Sequence, residues 1–161
     1  MGRKQARRRR RFPFHAAGRA KQELMSKALI VDDREAEVDL LKAYLADSVE
    51  EVRTLTDSRL IEEVFAEFQP DIILLDLHMP DPDGFEVLRR LRSARSSLGY
   101  LPILVLTADE THVARNSALI LGADEFLTKP VDREELVLRV RNLLRTRELF
   151  IAAREGRADL T

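Results

Sequence analysis

The sequence predicts an α/β fold, a doubly wound five-stranded parallel sheet with helices on both faces. Three observations carry this expectation. A short apolar run followed by a longer amphipathic stretch recurs five times between residues 26 and 148. The apolar runs are continuous rather than alternating, as strands covered on both faces are. Hydrophobic residues make up 45% of the 161, enough to bury one domain's core. With aromatics at 6% and no Trp, that core is aliphatic.

Each element has its own justification. Ala28-Leu29-Ile30-Val31 is a buried strand ending in Asp32-Asp33. Glu35 to Ala46 sets Val38, Leu41 and Leu45 at helical spacing, with Leu40 and Tyr44 beside them. Glu51 to Leu55 is a second, more polar strand. Asp57 to Phe68 puts Leu60, Ile61, Val64, Phe65 and Phe68 on one helical face, and Pro70 stops that helix. Ile72-Ile73-Leu74-Leu75 is the most apolar strand and ends in Asp76. Pro80, Pro82 and Gly84 mark a tight loop, with Asp83 as a helix cap. Gly84 to Leu91 is a helix with Phe85, Leu88 and Leu91 inward, and Leu98-Gly99-Tyr100 is a loop. Pro102 to Leu106 is the fourth strand, ending at Thr107. Glu110 to Leu121 is a weakly amphipathic helix capped by Gly122. Glu125 to Thr128 is the fifth strand, ending at Lys129-Pro130. The last helix opens on Asp132 and Glu135, an acidic variant of the capping box, with Val131 and Leu136 as a hydrophobic staple. Leu136, Val140, Leu143 and Leu144 form its stripe, and Phe150 and Ile151 continue that phase. The flavodoxin-like (βα)5 arrangement, strand order 2-1-3-4-5, accommodates the five units.

The formal net charge of -1 conceals a division. Residues 1–24 hold nine Lys or Arg and one Glu, a net of +8, and the remainder carries -9. The chain therefore divides into a basic arm over 1–25, a body over 26–148, and a helix extension or tail over 149–161. Arg7 to Arg11 repel one another and have little apolar material to fold on, so the arm is expected to be disordered. It suits phosphate contacts to nucleic acid through residues 3–21, an anionic membrane surface, or an acidic partner. It equally suits a solvated extension upstream of a start at Met25-Ser26-Lys27. A twin-arginine signal is a poor match, because Pro13 to Glu23 supplies no long apolar segment. The absence of Cys excludes a disulfide scaffold, a cysteine nucleophile and a thiolate metal site. The longest uncharged stretch is Ser96 to Ala108. That is shorter than the roughly 18 residues a membrane-spanning helix needs.

The strand ends carry the chemistry. In a doubly wound sheet the ligand site lies beyond the carboxyl ends of the strands. There stand Asp32-Asp33, Asp76, Thr107 and Lys129. Carboxylates gathered in one pocket repel unless a cation joins them, and a hard divalent ion such as Mg²⁺ suits oxygen ligands. A carboxylate beside such an ion can act as a nucleophile toward a phosphoryl group. A lysine and a hydroxyl are suitable stabilisers of the charge that spreads over the transferring oxygens. Taken singly, each residue has a plainer role. Asp32 or Asp33 could cap the first helix, Thr107 could simply end a strand, and Lys129 could pair with a surface acid. His78 and His112 have no third ligand at useful spacing for a metal site of their own.

The segments VDD, LLDLHMPDPDGFEVL, ILVLTA and FLTKP, in this order and at these intervals, resemble the signature set of bacterial response-regulator receiver domains. The resemblance covers roughly residues 27–147. It implies that Asp76 is the phosphoacceptor. It also implies that Asp32, Asp33, Asp76 and the backbone carbonyl of His78 serve the metal, Mg²⁺. Thr107 matches the switch hydroxyl, Ala108 the small residue beside the phosphoryl group, Lys129 the ammonium, and Phe126 the aromatic that changes rotamer. Lys129-Pro130 matches the family's cis peptide. His78 and Asp109 occupy positions that tune the lifetime of the acyl phosphate.

The resemblance further implies a cytoplasmic, regulatory module of a two-component or phosphorelay system. Its only catalysis would be self-phosphorylation and autodephosphorylation. A sensor histidine kinase or histidine phosphotransfer protein would supply the phosphoryl group. A downstream target would meet the fourth helix, fifth strand and fifth helix, and the chain could also form a homodimer. Two other classes compete. A hydrolase of haloacid dehalogenase type also uses an aspartyl phosphate, but its nucleophile comes early with a second Asp two residues on. Here the acidic pair comes first and His78 holds that position. The other is a phosphorylation-independent interaction module with a nucleic-acid-binding arm. Residues 149–161 are too few for an effector domain, so the chain reads as a single-domain regulator or the receiver part of a longer one. Phe150 and Ile151 suit a dimerising or linking helix, or an end packed on its own domain.

Overall fold

Every apolar run that precedes a polar loop becomes a strand in the computed structural model, which describes residues 26–98, 100–109 and 111–158. The elements are β1 (Lys27–Val31), α1 (Glu35–Leu45), β2 (Glu51–Leu55), a 3-10 turn (Ser58–Leu60), α2 (Ile61–Phe68), β3 (Ile72–Leu75), α3 (Gly84–Leu98), β4 (Ile103–Thr107), α4 (His112–Ile120), β5 (Glu125–Thr128) and α5 (Arg133–Ala158). All neighbouring strands pair in parallel, in the order β2-β1-β3-β4-β5. This is the order expected from five strand-helix units.

Alternation along the strands divides the core into two layers. Leu29, Val31, Ile73, Leu75, Ile103 and Val105 face one side, where they meet Ile61 and Phe68 of α2, Val87, Leu88 and Leu91 of α3, and Ala118 of α4. Ala28, Ile30, Ile72, Leu74, Leu104 and Leu106 face the other, against Val38, Leu41 and Leu45 of α1 and Leu136, Val140, Leu143 and Leu144 of α5. Burying each such Leu or Ile contributes roughly 1.5–3 kcal/mol. The central strands therefore cannot slip register without losing both layers.

Side-chain oxygens fix several helix starts. Asp83 Oδ1 accepts from the Glu86 amide at 2.9 Å, Thr111 Oγ1 from Ala114 at 3.2 Å, and Asp132 Oδ2 from Glu135 at 3.0 Å. α2 ends on Gln69, whose left-handed conformation (φ 50°) directs its amide to the Phe65 carbonyl. Gly122, at φ 110°, follows α4, a conformation that favours glycine.

Several boundaries shift by a residue or two from the sequence reading, and four differences go further. The helix expected over 57–68 begins as a 3-10 turn, because Asp57 accepts the Arg59 amide there, and Leu60 is left exposed. α1 has Arg34 rather than an aspartate at its N-cap. α3 runs to Leu98 instead of Leu91, and Arg89 and Arg90 pair with Glu86 in its first turns. α5 runs through the boundary expected at 148 as far as Ala158, and the Phe150 ring lies 5.8 Å from the Tyr100 ring. The basic arm over 1–25, the loop residue Gly99, the helix start expected at Glu110 and residues 159–161 lie outside the described residues. No helix among the described residues is long and apolar enough to cross a membrane.

Candidate functional site

Main-chain bonds set the site before any side chain does. The Asp32 amide donates to Leu55 O (3.1 Å), the Asp76 amide to Val31 O (3.0 Å), and the Lys129 amide to Thr107 O (2.8 Å). The sheet ladder thus extends one step past each strand and ties β2 to β1, β1 to β3, and β4 to β5. The loop after Asp76 folds back closely, with the Gly84 amide on Leu77 O at 3.0 Å. A Cβ at position 84 would overlap the Asp76 carbonyl oxygen and Leu77 Cα. Only glycine lets the start of α3 come this near. Ser58 Oγ donates to Pro82 O at 2.7 Å and holds the same loop from the other side.

On this frame Asp32, Asp33 and Asp76 converge, with one carboxylate oxygen from each lying within 4.8 Å of the others. Asp32 and Asp76 are buried and Asp33 is exposed. Lys129 Nζ reaches Asp32 Oδ2 at 2.6 Å and stands 3.8 Å from Asp76 Oδ2 and 3.9 Å from Glu37 Oε2. Asp32 Oδ1 accepts the Arg34 amide at 3.0 Å, and Asp76 Oδ1 accepts the His78 amide at 3.2 Å. Asp32 therefore orients the turn into α1 and pairs with a half-buried lysine, rather than capping the helix.

One ammonium faces a surplus of carboxylates. Burial pushes the Asp76 carboxyl above its ordinary value, Asp32 and Asp33 add to the rise, and Lys129 and the His78 amide oppose it. A carboxylate held against its own ionisation is a group that gains from an added cation. The donors are all hard oxygens, so the set fits a hard divalent ion.

The remaining expected residues surround this cluster. Thr107 is fully buried at the end of β4, and its Oγ1 accepts the Asp109 amide at 3.3 Å. Ala108 is exposed beside it. Asp109 Oδ1 accepts the Thr111 amide at 2.9 Å, and these Thr111 bonds hold its carboxyl below the usual range, with His78 contributing less. His78 Nε2 lies 3.4 Å from Asp109 Oδ2, joining the loops after β3 and β4. Phe126 is half-buried against the layer under α2, α3 and α4. The Lys129–Pro130 peptide is cis, as is Asp81–Pro82, which sequence reasoning missed. His112 begins α4 and is exposed. Sequence reasoning also missed Glu37, Ser58 and the close approach at Gly84. Glu37 had one signal, its place in the first turn of a helix that follows an acidic pair.

A parallel sheet of this strand order thus carries an acidic cluster and a lysine at its strand ends. The chain belongs to the response regulator receiver domain family, whose model matches residues 28–141. It is 40% identical over 119 residues to the transcriptional regulatory protein TrcR of Mycobacterium tuberculosis, covering 74% of this chain and 45% of that one. It is 38% identical over 136 residues to the response regulator PleD of Caulobacter vibrioides, covering 84% and 30%. Its fold is similar to that of the Vibrio cholerae chemotaxis protein CheY4, with a TM-score of 0.68 and 29% identity over 74% of this chain and 98% of that one. The chain thus spans less than half the length of these two curated relatives. The family is regulatory, and its members serve two-component systems.

Proposed function

We propose that this chain accepts a phosphoryl group on Asp76 from the phosphohistidine of a sensor histidine kinase or histidine phosphotransfer protein, and thereby changes its partner preference. The observation that carries the reading is the Asp76 carboxylate, buried at a strand end between two further carboxylates and 3.8 Å from the Lys129 ammonium. An Asp76 carboxylate oxygen attacks phosphorus, and a P–O bond forms as the P–N bond breaks. The imidazole leaves with the electron pair and takes up a proton. Asp33, Asp76 and the His78 carbonyl, with Asp32 acting through water, would hold Mg²⁺, which neutralises charge on the transferring oxygens.

The chain's own groups complete the site. Lys129 now spends its shortest contact on Asp32 and lies close enough to Asp76 to meet the new phosphoryl oxygens. Thr107 turns its hydroxyl from the Asp109 amide to the same oxygens, with Ala108 small enough to admit them. Phe126 follows Thr107 inward and alters the surface of α4, β5 and α5. That surface already exposes Val113, Ile120 and Leu138, which suits a downstream protein or a second copy. His78 and Asp109, paired across the mouth, would set how readily water reaches the acyl phosphate. The phosphoryl group can shift the two states only by its differential contacts.

The test is Mg²⁺-dependent labelling with acetyl phosphate. Wild-type protein takes up one equivalent and Asp76→Asn takes up none. Label persisting in Asp76→Asn would overturn the acceptor assignment. Lys129→Ala should still take up label but bind its target no better than the unphosphorylated protein.

A further inference from the structure

β2 supplies no carboxylate to the cluster, yet its end is fastened to both halves of it. The Leu55 carbonyl accepts the Asp32 amide at 3.1 Å. In the turn that follows, Ser58 Oγ donates to the Pro82 carbonyl at 2.7 Å, with the Pro80 carbonyl farther off at 3.5 Å. Ser58 is only 5% exposed, and Pro82 is buried. Pro80 and Pro82 have no N–H of their own, so this loop has few donors with which to fix itself. The turn that carries Ser58 is itself held. Asp57 accepts the Arg59 amide at 3.1 Å and the Arg59 guanidinium at 2.9 and 2.8 Å. Beside the Ser58 bond a cleft of about 310 Å³ opens between Thr56 to Arg59 and Pro80-Asp81, so close packing does not replace it.

We propose that Ser58 is a positioning residue for the metal, its hydroxyl fixing the spacing between the acidic pair Asp32-Asp33 and the loop that carries the His78 carbonyl. The inference rests on the metal site proposed above. Asp32 and Asp33 follow β1 and His78 follows β3, so an ion shared by them bridges two loops. The segment from Leu55 to Ser58 touches both loops and sets how far apart they stand. Mg²⁺ demands near-ideal octahedral geometry at about 2.0–2.1 Å, whereas Ca²⁺ tolerates irregular sets at about 2.3–2.6 Å. Spacing therefore decides between the two ions. Without the hydroxyl, the buried Pro82 carbonyl loses its donor and the loop shifts to find another. Residues that orient metal ligands without touching the metal commonly carry about 10- to 100-fold in affinity.

Calorimetric titration of the full-length chain with Mg²⁺, and separately with Ca²⁺, tests this without phosphoryl transfer. Ser58→Ala should weaken Mg²⁺ binding by about tenfold and Ca²⁺ binding by no more than about twofold. Ser58→Thr keeps the hydroxyl and should restore most of the Mg²⁺ affinity. With acetyl phosphate, Ser58→Ala should raise the Mg²⁺ needed for half-maximal labelling far more than it lowers the rate at saturating Mg²⁺. In metal-free protein, amide exchange between Leu77 and Gly84 should quicken severalfold. Equal losses for the two ions, unchanged Mg²⁺ affinity, or unchanged exchange would each overturn the role of Ser58. If both proteins bind Mg²⁺ as stated but Asp76 takes no label, the acceptor reading falls and the role of Ser58 stands. Absence of Mg²⁺ binding in the wild type would overturn the metal site and this role together.

Discussion

Each end of the sheet sets a carboxylate against a long basic side chain, and the two ends differ in balance. At the amino end, Asp71 is matched. One oxygen takes Arg147 at 2.9 Å and the other takes the Lys27 amide at 2.8 Å. At the carboxyl end, three carboxylates share one ammonium, and Asp76 is left with its proton affinity raised. The first arrangement is satisfied by the fold itself. The second keeps an excess of carboxylate that an added cation would offset. A matched, half-buried pair is therefore a fastener, whereas an unmatched cluster is left to respond to an added cation.

The comparison can be broken by experiment. The largest expected effect belongs to Lys129→Met. It removes the cation from a buried cluster and should cost about 3 kcal/mol, with Mg²⁺ restoring part of the loss. Urea midpoints with and without Mg²⁺ would show it. Gly84→Ala should cost about 2–3 kcal/mol, because its new Cβ meets backbone that cannot yield. It should also lower acetyl-phosphate uptake, by moving the loop that follows Asp76. Arg147→Met should cost less, about 1–2 kcal/mol, because Asp71 keeps its amide donor, and Mg²⁺ should not rescue it. An Arg147 loss that exceeds the Lys129 loss, or that Mg²⁺ repairs, would remove the contrast between the two ends.

The smallest effect is one of slope. Asp76 holds its proton more tightly in the folded protein than in the unfolded chain, chiefly through burial. Without metal, its ionisation therefore costs stability as pH rises. The cost is absent below the ordinary carboxylate range, where both states are protonated. It is complete above the raised native value. Asp76→Asn should flatten this part of the stability profile. An unchanged profile would show that burial of Asp76 is not what the cluster resists.

Much of this was legible in the sequence because it depends on local pattern. Continuous runs such as Ile72 to Leu75 specify central strands, and the residue that follows each run must stand at the sheet's rim. That reasoning brought Asp32, Asp76, Thr107 and Lys129 to one edge. What it missed depends on contacts between distant segments. Ser58 bonds Pro82 across 24 positions, and no periodicity encodes that. Gly84 reads as a turn residue, while its requirement is set by how closely α3 approaches the strand. Asp32 reads equally well as a helix cap, and only the position of Lys129, 97 residues on, decides otherwise. α3 outran its expected end because the later serines and arginines blur the apolar spacing by which its first two turns are read.

The length of α5 has a mechanical consequence. Its 26 residues make a rod of about 39 Å. The first turn stands four residues after Lys129, and its later turns pass Ser26 and Asp71 at the far end of the sheet. A pivot of about 5° at the first turn would sweep Ala158 through about 3 Å. The helix is thus a lever, its short arm at the carboxylates and its long arm beside Ser26 and Asp71.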